Sequence, residues 1–424
     1  MSEQARQNPA ADVQWAEKYL PPWIEAGNIS ATRAAGYYLS PRLRDNPAAA
    51  LDTRTELSEF VGQWPEARLR AAQEAHAEMQ EVRQLPVRQL RVAAGVPFAH
   101  NEHPHIVQRT LAAYARQGMQ PRAWLLHAFV NRPQLVAESG RGEAWAALRG
   151  NPHAQLPLFT SYQVYESAPP MGLVRADAFD PILYHMALHG INHRVMLLSN
   201  DGDPANMSRG YVAGLSQAAQ NHPDKEFYTC KMLWEQPGGM HTSMSRAIRY
   251  FSSMDSFLRV ATPHASVSEA NMGIDAATYA AIGGFLQDRP TEQMAQLRHT
   301  FALARTGNSQ DGAQWREAFR GSTKFVRGIY LRTASRRLQL AFAQGFGPHE
   351  AWGAAAVPFS TGQDAMDRSR LPASFPTEIT AAVLEKVLGG IDTLYSTHIT
   401  PYTGKERFDT FRDMARRLID LPAA

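Results

Sequence analysis

Short apolar runs alternate with amphipathic stretches along the middle of the chain. Leu90 to Pro97 and Trp124 to Val130 are apolar enough to be buried strands, and apolar residues recur at helical spacing from Ile106 to Tyr114 between them. This succession predicts a βαβ unit, whose two strands are parallel and joined by a right-handed crossover. Two later runs, Leu156 to Tyr165 and Val195 to Leu198, predict further strands of the same sheet.

The α/β pattern covers residues 86–290, and the stretches on either side of it have a helical pattern. Within it, Tyr228 to Trp234 predicts one more strand, whose polar surroundings indicate a position at an edge of the sheet. The sequence therefore predicts three parts: an N-terminal helical segment (1–85), an α/β domain (86–290) and a C-terminal helical region (291–424). The fold class is α/β, with a doubly wound sheet flanked by helices.

Composition narrows the class of protein. With 44% hydrophobic and 20% charged residues, the chain is typical of soluble globular proteins, and its formal net charge of +3 neither requires nor excludes a nucleic-acid partner. The single cysteine, Cys230, excludes a disulfide framework and a thiolate metal site. The polar N-terminus does not resemble a signal peptide, and no apolar run reaches the roughly 18 residues of a membrane-spanning helix. We expect a cytoplasmic protein.

Two carboxylates follow the last of the predicted parallel strands, in the stretch Asn200-Asp201-Gly202-Asp203. Asp201 and Asp203 are two residues apart, so at a strand end they point the same way. Such hard oxygen donors suit Mg2+ or Mn2+ carrying a diphosphate, although Asp-Gly is also a common turn pair. Ligands of parallel sheets bind outside the carboxyl ends of the strands, where this loop meets the loops of the first two strands. This convergence favours a metal site over a plain turn.

Four segments of the α/β region stand out, in chain order Val96 to Glu102, Gly172 to Gly190, Asn200 to Asp203 and Ser268 to Phe285. Together they resemble family 2 glycosyltransferases of GT-A fold. The first resembles the nucleotide-binding loop of that family, the second its segment before the acidic strand, the third its metal-binding DxD motif and the fourth its acceptor-side segment. The resemblance implies that residues 86–290 are a GT-A-like catalytic domain, with a Rossmann-like mixed sheet flanked by helices.

The resemblance also implies a UDP- or GDP-sugar as donor and Mn2+ or Mg2+ as cofactor, with Asp201 and Asp203 as metal ligands. The implied donor contacts are Pro97, Asn101, Glu102, Asn131, Arg175, Asp180 and Asp201. On the acceptor side, it implies Glu269 and Asn271. A third metal ligand remains open among His241, His264 and His398.

The chain also departs from the family pattern. Asn131 stands where the family usually has a base-reading Asp, and Asn can still form hydrogen bonds with a uracil or guanine edge. Asp275 replaces a usual Arg or Lys. The family's catalytic Glu-Asp pair is absent, so Glu292 is the first candidate for the general base and Asp288 the second.

The resemblance thus predicts a metal-dependent, inverting glycosyltransferase that acts on a hydroxyl of a glycan, small molecule, protein or nucleic acid. One alternative is a nucleotidyltransferase of similar fold, although the first loop lacks the Gly and Lys residues typical of that class. Another is a degenerate GT-A domain that binds nucleic acid or protein through the basic clusters Arg332 to Arg337 and Arg412 to Arg417.

Overall fold

A computed structural model of the chain describes residues 57–79, 87–100, 102–133, 142–165, 171–191, 193–202, 204–237, 239, 241–261, 270–281, 283–285, 321–347 and 375–420. The strands of these residues are β1 (Val92–Ala99), β2 (Trp124–Pro133), β3 (Leu158–Tyr165), β4 (Met196–Asn200), β5 (Pro204–Met207), β6 (Phe227–Trp234), β7 (Asn271–Asp275) and β8 (Thr323–Thr333). The helices are α1 (Leu57–Gly62), α2 (Glu66–Glu78), α3 (Pro104–Ala115), α4 (Gly142–Arg149), α5 (Met171–Leu188), α6 (Tyr211–Asn221), α7 (Ser243–Ala261), α8 (Ala276–Ala281), α9 (Arg336–Ala343), α10 (Ala381–Thr403) and α11 (Lys405–Asp420). Each helix among these residues is too short or too polar to span a lipid bilayer.

The strands join in one mixed sheet with the order β3-β2-β1-β4-β7-β6-β8-β5. β1 pairs in parallel with β2 and β4, β2 with β3, and β6 with β8. β7 runs antiparallel to both of its neighbours, and β5 runs antiparallel to β8. Strands β1, β2, β3, β4, β6 and β8 therefore all end at the same side of the sheet, which we call the carboxyl edge. The predicted α/β fold, a mixed sheet flanked by helices, is confirmed.

Helices cover both faces of the sheet. The core on one face is shared by α1, α2, α5 and α8, and the core on the other face by α3, α4 and α6. A third apolar cluster joins α7, α9, α10 and α11. β1 and β4 are buried along both faces, which explains their continuous apolar sequences. At Gly95, a Cβ atom would lie 2.9 Å from the ring of Phe179, so this glycine lets α5 pack directly on β1.

The C-terminal half of the sheet differs from the prediction. Tyr228 to Trp234 does form a strand, but its predicted edge position is wrong because β6 lies between β7 and β8. β7 comes from the segment predicted to serve the acceptor, and β8 comes from beyond residue 290, where a helical region was predicted. Lys324, Arg327 and Gly328 interrupt the apolar pattern of β8, so local periodicity does not mark it as a strand.

Candidate active site

Asp201 directly follows β4 at the carboxyl edge and is held there by Arg175, which lies one turn into α5. Nη2 of Arg175 donates to Oδ1 of Asp201 at 2.6 Å, and Nη1 donates to Oγ of Ser199 at 3.0 Å. The Arg175 side chain is 8% exposed, whereas that of Asp201 is 39% exposed. The ion pair therefore orients the Asp201 carboxylate while leaving it accessible to a ligand.

Gly202 fixes the loop that follows Asp201. A Cβ atom at this position would lie 2.3 Å from the carbonyl oxygen of Pro97, so only glycine allows the loop to rest on the end of β1. The hydroxyl of Thr110 on α3 donates to the carbonyl of Gly202 at 3.0 Å. The loop is thus anchored to a central strand and to a helix, which is the rigid support that a ligand-binding carboxylate needs.

Asn131 near the end of β2 carries a buried acceptor atom. Its Nδ2 donates to the carbonyl of Phe98 at 2.9 Å, and the residue is 2% exposed. Its Oδ1 is buried and accepts no hydrogen bond within the described residues. Because a buried acceptor without a partner is destabilising, this atom suits an N–H donor of a ligand at the carboxyl edge.

Glu102, a predicted donor contact, is buried and only 1% exposed. Its Oε1 accepts from the backbone N–H of His103 at 3.2 Å and lies 3.7 Å from Nη1 of Arg336. Buried carboxylates need such a cation nearby. In this arrangement Glu102 balances the charge of Arg336 and exposes little surface, and its contact with ribose or base stays a prediction.

Arg336 lies at the carboxyl edge, although it was not among the predicted site residues. It is the first residue of α9, which follows β8 at the carboxyl edge. Nearby, Nη1 of Arg109 on α3 lies 3.1 Å from Oε1 of Glu235, which follows β6. The sequence does contain a signal for Arg336, because it belongs to a basic cluster that directly follows an apolar stretch. That stretch was not recognised as the strand β8, so the cluster was not placed at the end of a strand.

Asp180, which is predicted to contact a base or ribose, is buried and paired in this structure. It is 2% exposed, and both of its carboxylate oxygens accept hydrogen bonds from Arg68 of α2. The neighbouring Asp177 accepts from the hydroxyl of Tyr165 at 2.6 Å. Burial, together with the charge of Asp180, raises the pKa of Asp177. These carboxylates form a buried cluster that joins α2, α5 and the end of β3.

Asn271, predicted on the acceptor side, belongs to a buried hydrogen-bond network. The hydroxyl of Tyr114 donates to Oδ1 of Asn200 at 2.6 Å, and Nδ2 of Asn200 donates to the hydroxyl of Tyr211 at 2.8 Å. Tyr211 in turn donates to Oδ1 of Asn271 at 3.0 Å, and Nδ2 of Asn271 donates to the carbonyl of Cys230. Burial raises the pKa of both tyrosines, so they remain protonated donors. The network joins β4, β6 and β7 beneath the site.

Asp275 lies at the opposite edge of the sheet, because β7 runs antiparallel to β4. It pairs with Nε of Arg194 at 3.2 Å. Its departure from the family pattern therefore does not affect the carboxyl edge. The following Gly-Gly-Phe segment has a packing role: Gly284 has a φ of +75°, and the N–H of Phe285 donates to the hydroxyl of Tyr279 at 3.0 Å.

Several predicted site residues lie outside the described residues, namely Asn101, Asp203, His264, Glu269, Asp288 and Glu292. His241 is exposed in the loop that follows β6, and for His398 only the backbone, within α10, is described. Within the described part of the chain, no group of three His, Cys, Asp or Glu residues is arranged to hold a metal ion.

No protein-family model and no curated protein sequence matches the chain. Among solved structures, it is similar to residues 1–349 of S. aureus TarS in complex with UDP-GlcNAc, with 11% identity, coverage of 78% of this chain and 88% of that chain, and a TM-score of 0.37. It is also similar to the mannosyltransferase PcManGT from Pyrobaculum calidifontis in complex with GDP-Man and Mn2+, with 12% identity, coverage of 85% and 98%, and a TM-score of 0.36. Both likenesses are remote.

Proposed function

We propose that this protein is a glycosyltransferase that binds a nucleotide-diphosphate sugar and a divalent cation at the carboxyl edge of its sheet. The observation that carries this function is the position of Asp201. Its carboxylate follows a central parallel strand, is oriented by the buried guanidinium of Arg175, and keeps 39% of its side chain exposed. Ligands of open α/β sheets bind at this position.

The residues at this edge fit Mg2+ or Mn2+. Asp201 and Asp203 would hold the cation through carboxylate oxygens, which such hard cations prefer. Mg2+ is commonly bound by one or two carboxylates together with substrate phosphates and water, so the site does not need three protein ligands. When bound, the cation neutralises charge on the leaving diphosphate. Arg175 holds Asp201 in place and adds positive charge on the side of α5.

Asn131 supports a base with an N–H donor on its edge. With Nδ2 committed to Phe98, the remaining Oδ1 accepts the N3–H of uracil or the N1–H of guanine. This preference agrees with a UDP- or GDP-sugar as donor. The acceptor is a hydroxyl of a glycan, small molecule, protein or nucleic acid.

For the chemical step, we keep Glu292 as the first candidate for the general base and Asp288 as the second. A carboxylate that removes the proton from the acceptor hydroxyl, on the face of the sugar opposite the diphosphate, would give inversion. Glu269, next to the buried Asn271, remains the candidate for acceptor contact.

Asn131 and Asp275 had suggested a degenerate domain retained for binding. The structure weakens this alternative on both counts. Asp275 lies at the opposite edge, and Asn131 retains an acceptor atom where a base would bind. No contact among the described residues favours the nucleotidyltransferase alternative.

The test is a thermal-shift panel of UDP-, GDP-, CMP- and dTDP-sugars, each with Mn2+ and with EDTA. We expect one of the UDP- or GDP-sugars to raise the melting temperature in Mn2+ and not in EDTA, because a ligand that binds only the folded state stabilises it. Asp201→Asn should abolish this shift. Asp413→Asn, at an exposed position on α11, should retain it. Absence of any metal-dependent shift, or an undiminished shift in Asp201→Asn, would contradict the proposed function.

A further inference from the structure

A groove of 660 Å³ runs between α6 and β8. Its lining includes Gln217, Asn221, His222, Lys324, Phe325 and Arg327. The volume lies within the roughly 300–1,000 Å³ that is typical of small-molecule sites. The groove reaches the end of α6 and the start of β8, and so lies away from Asp201 and the carboxyl edge.

A bulge in β8 builds one wall of the groove. Arg327, Gly328 and Ile329 have no partners in the ladder between β6 and β8, whose register shifts at this point. Gly328 has a φ of +84°, which favours glycine. Ile329 packs against α6 at Gly214, where a Cβ atom would lie 3.2 Å from its side chain. The bulge thereby keeps Arg327 exposed beside the helix, as bulges re-aim side chains at functional positions.

The groove is lined by cations and hydrogen-bond donors. Neither Lys324 nor Arg327 forms an ion pair with any other described residue, whereas Arg68, Arg175 and Arg194 are each paired with a carboxylate. Amide groups of Gln217 and Asn221 and the ring of His222 complete the polar lining. The nearby carboxylate of Asp224 is already bound to Lys225 at 2.8 Å. Among the described residues, the groove therefore carries positive charge that no carboxylate neutralises.

We propose that this groove binds an anionic saccharide, that is, a sugar or sugar chain carrying carboxylate or phosphate groups. Lys324 and Arg327 would bind the anionic groups, and the amides of Gln217 and Asn221 would bind hydroxyls. The half-buried ring of Phe325 offers an apolar surface for a sugar ring. A nucleic acid would need an extended basic surface, whereas Lys324 and Arg327 are the Lys and Arg residues in the described lining of this groove.

Calorimetry on the full chain tests this assignment. The probes are a galacturonic-acid tetrasaccharide for the carboxylate form, glucose 6-phosphate for the phosphate form, neutral maltotetraose, and a single-stranded DNA oligonucleotide. We expect at least one anionic sugar to bind, and maltotetraose not to bind. The double variant Lys324→Gln/Arg327→Gln should weaken that binding about tenfold, because two charge-assisted contacts are lost. The matched control, Lys405→Gln/Arg407→Gln on the exposed surface of α11, should leave it unchanged.

The assignment would be overturned by anionic sugars that bind no better than maltotetraose, by equal affinity in the groove variant, or by DNA that binds more tightly than either sugar. Binding should also persist when UDP, GDP and Mn2+ are added, since the groove and the carboxyl edge are separate. Competition by a nucleotide would show that the sugar occupies the donor site instead. The experiments therefore test sugar binding in the groove and the proposed glycosyltransferase activity separately, and one proposal can be wrong while the other is right.

Discussion

Arg68 links the N-terminal helices to the helix that orients Asp201, and its replacement by methionine tests this connection. Its Nε and Nη2 donate to the two carboxylate oxygens of Asp180 at 2.7 and 2.8 Å. The side chains of Arg68 and Asp180 are 9% and 2% exposed. The guanidinium carbon also lies 4.4 Å from the ring centroid of Trp64. Methionine keeps the apolar stem and removes the charge and the donors.

The size of the effect follows from burial. Removing one partner of a buried ion pair costs about 3–5 kcal/mol, because the other charge is left without compensation. Asp180 can escape part of this cost by taking up a proton. At about pH 7.5, protonating a carboxylate whose pKa in the unfolded chain is about 3.9 costs about 5 kcal/mol. We therefore expect Arg68→Met to lower the free energy of unfolding by about 3–5 kcal/mol at this pH.

The loss should shrink in acid. Burial raises the pKa of Asp180, and the charge of Arg68 opposes that rise. In Arg68→Met the opposing charge is gone, so the pKa of Asp180 in the folded state increases further above its value in the unfolded chain. A carboxyl group whose pKa is raised on folding favours the folded state at low pH and loses that contribution as pH increases through the folded-state pKa. At about pH 5.5, protonation costs only about 2 kcal/mol, so the difference from wild type should fall to about that value.

Equilibrium urea denaturation at both pH values, followed by circular dichroism, measures this difference. The double variant Arg68→Met/Asp180→Asn should recover much of the loss, since no buried charge is left unpaired at Asp180. The matched control is Arg70→Met on the same helix, whose partner Glu66 is 84% exposed, and it should change stability by less than about 0.5 kcal/mol. Equal effects of Arg68→Met and Arg70→Met, or a loss that does not depend on pH, would refute the reasoning.

Three further predictions concern the carboxyl edge and β2. Gly202→Ala should reduce the thermal shift caused by a nucleotide-sugar, because the added Cβ would meet the carbonyl of Pro97. The control Gly62→Ala, whose Cβ would have no atom within 4 Å, should not reduce it, and equal shifts of the two variants would contradict this prediction. Asn131→Ala should weaken donor binding about tenfold in calorimetry, as one hydrogen bond is lost, and unchanged affinity would exclude a base contact. Burial lowers the pKa of His127 to about 4. As pH falls, His127 is therefore protonated in the unfolded chain before it is protonated in the folded chain, which lowers the free energy of unfolding by about 2 kcal/mol between about pH 7 and pH 5. His127→Gln should remove this loss in urea denaturation. An unchanged dependence of the free energy of unfolding on pH would contradict the prediction.

Local sequence was sufficient for the first half of the sheet. β1, β2 and β4 could be predicted because strands buried on both faces have continuous apolar sequences, and β3 because it is rich in aromatic and β-branched residues. Because these strands are parallel, their carboxyl ends lie at the same edge of the sheet. The position of Asp201 at that edge, where its side chain is partly exposed, could therefore be predicted from the order of the strands and helices.

Only the tertiary structure determined which charged side chains are accessible at the carboxyl edge and which are buried in ion pairs that stabilise the fold. Asp180 is paired with Arg68, which is 112 positions away in the sequence, and Glu102 with Arg336. β8 enters the sheet from beyond residue 290. Periodicity reports the burial of a segment against its surroundings, but the partner of a carboxylate or of a strand depends on contacts between distant segments. The sequence by itself therefore determined the sheet edge that carries Asp201, and long-range packing determined the partners available there.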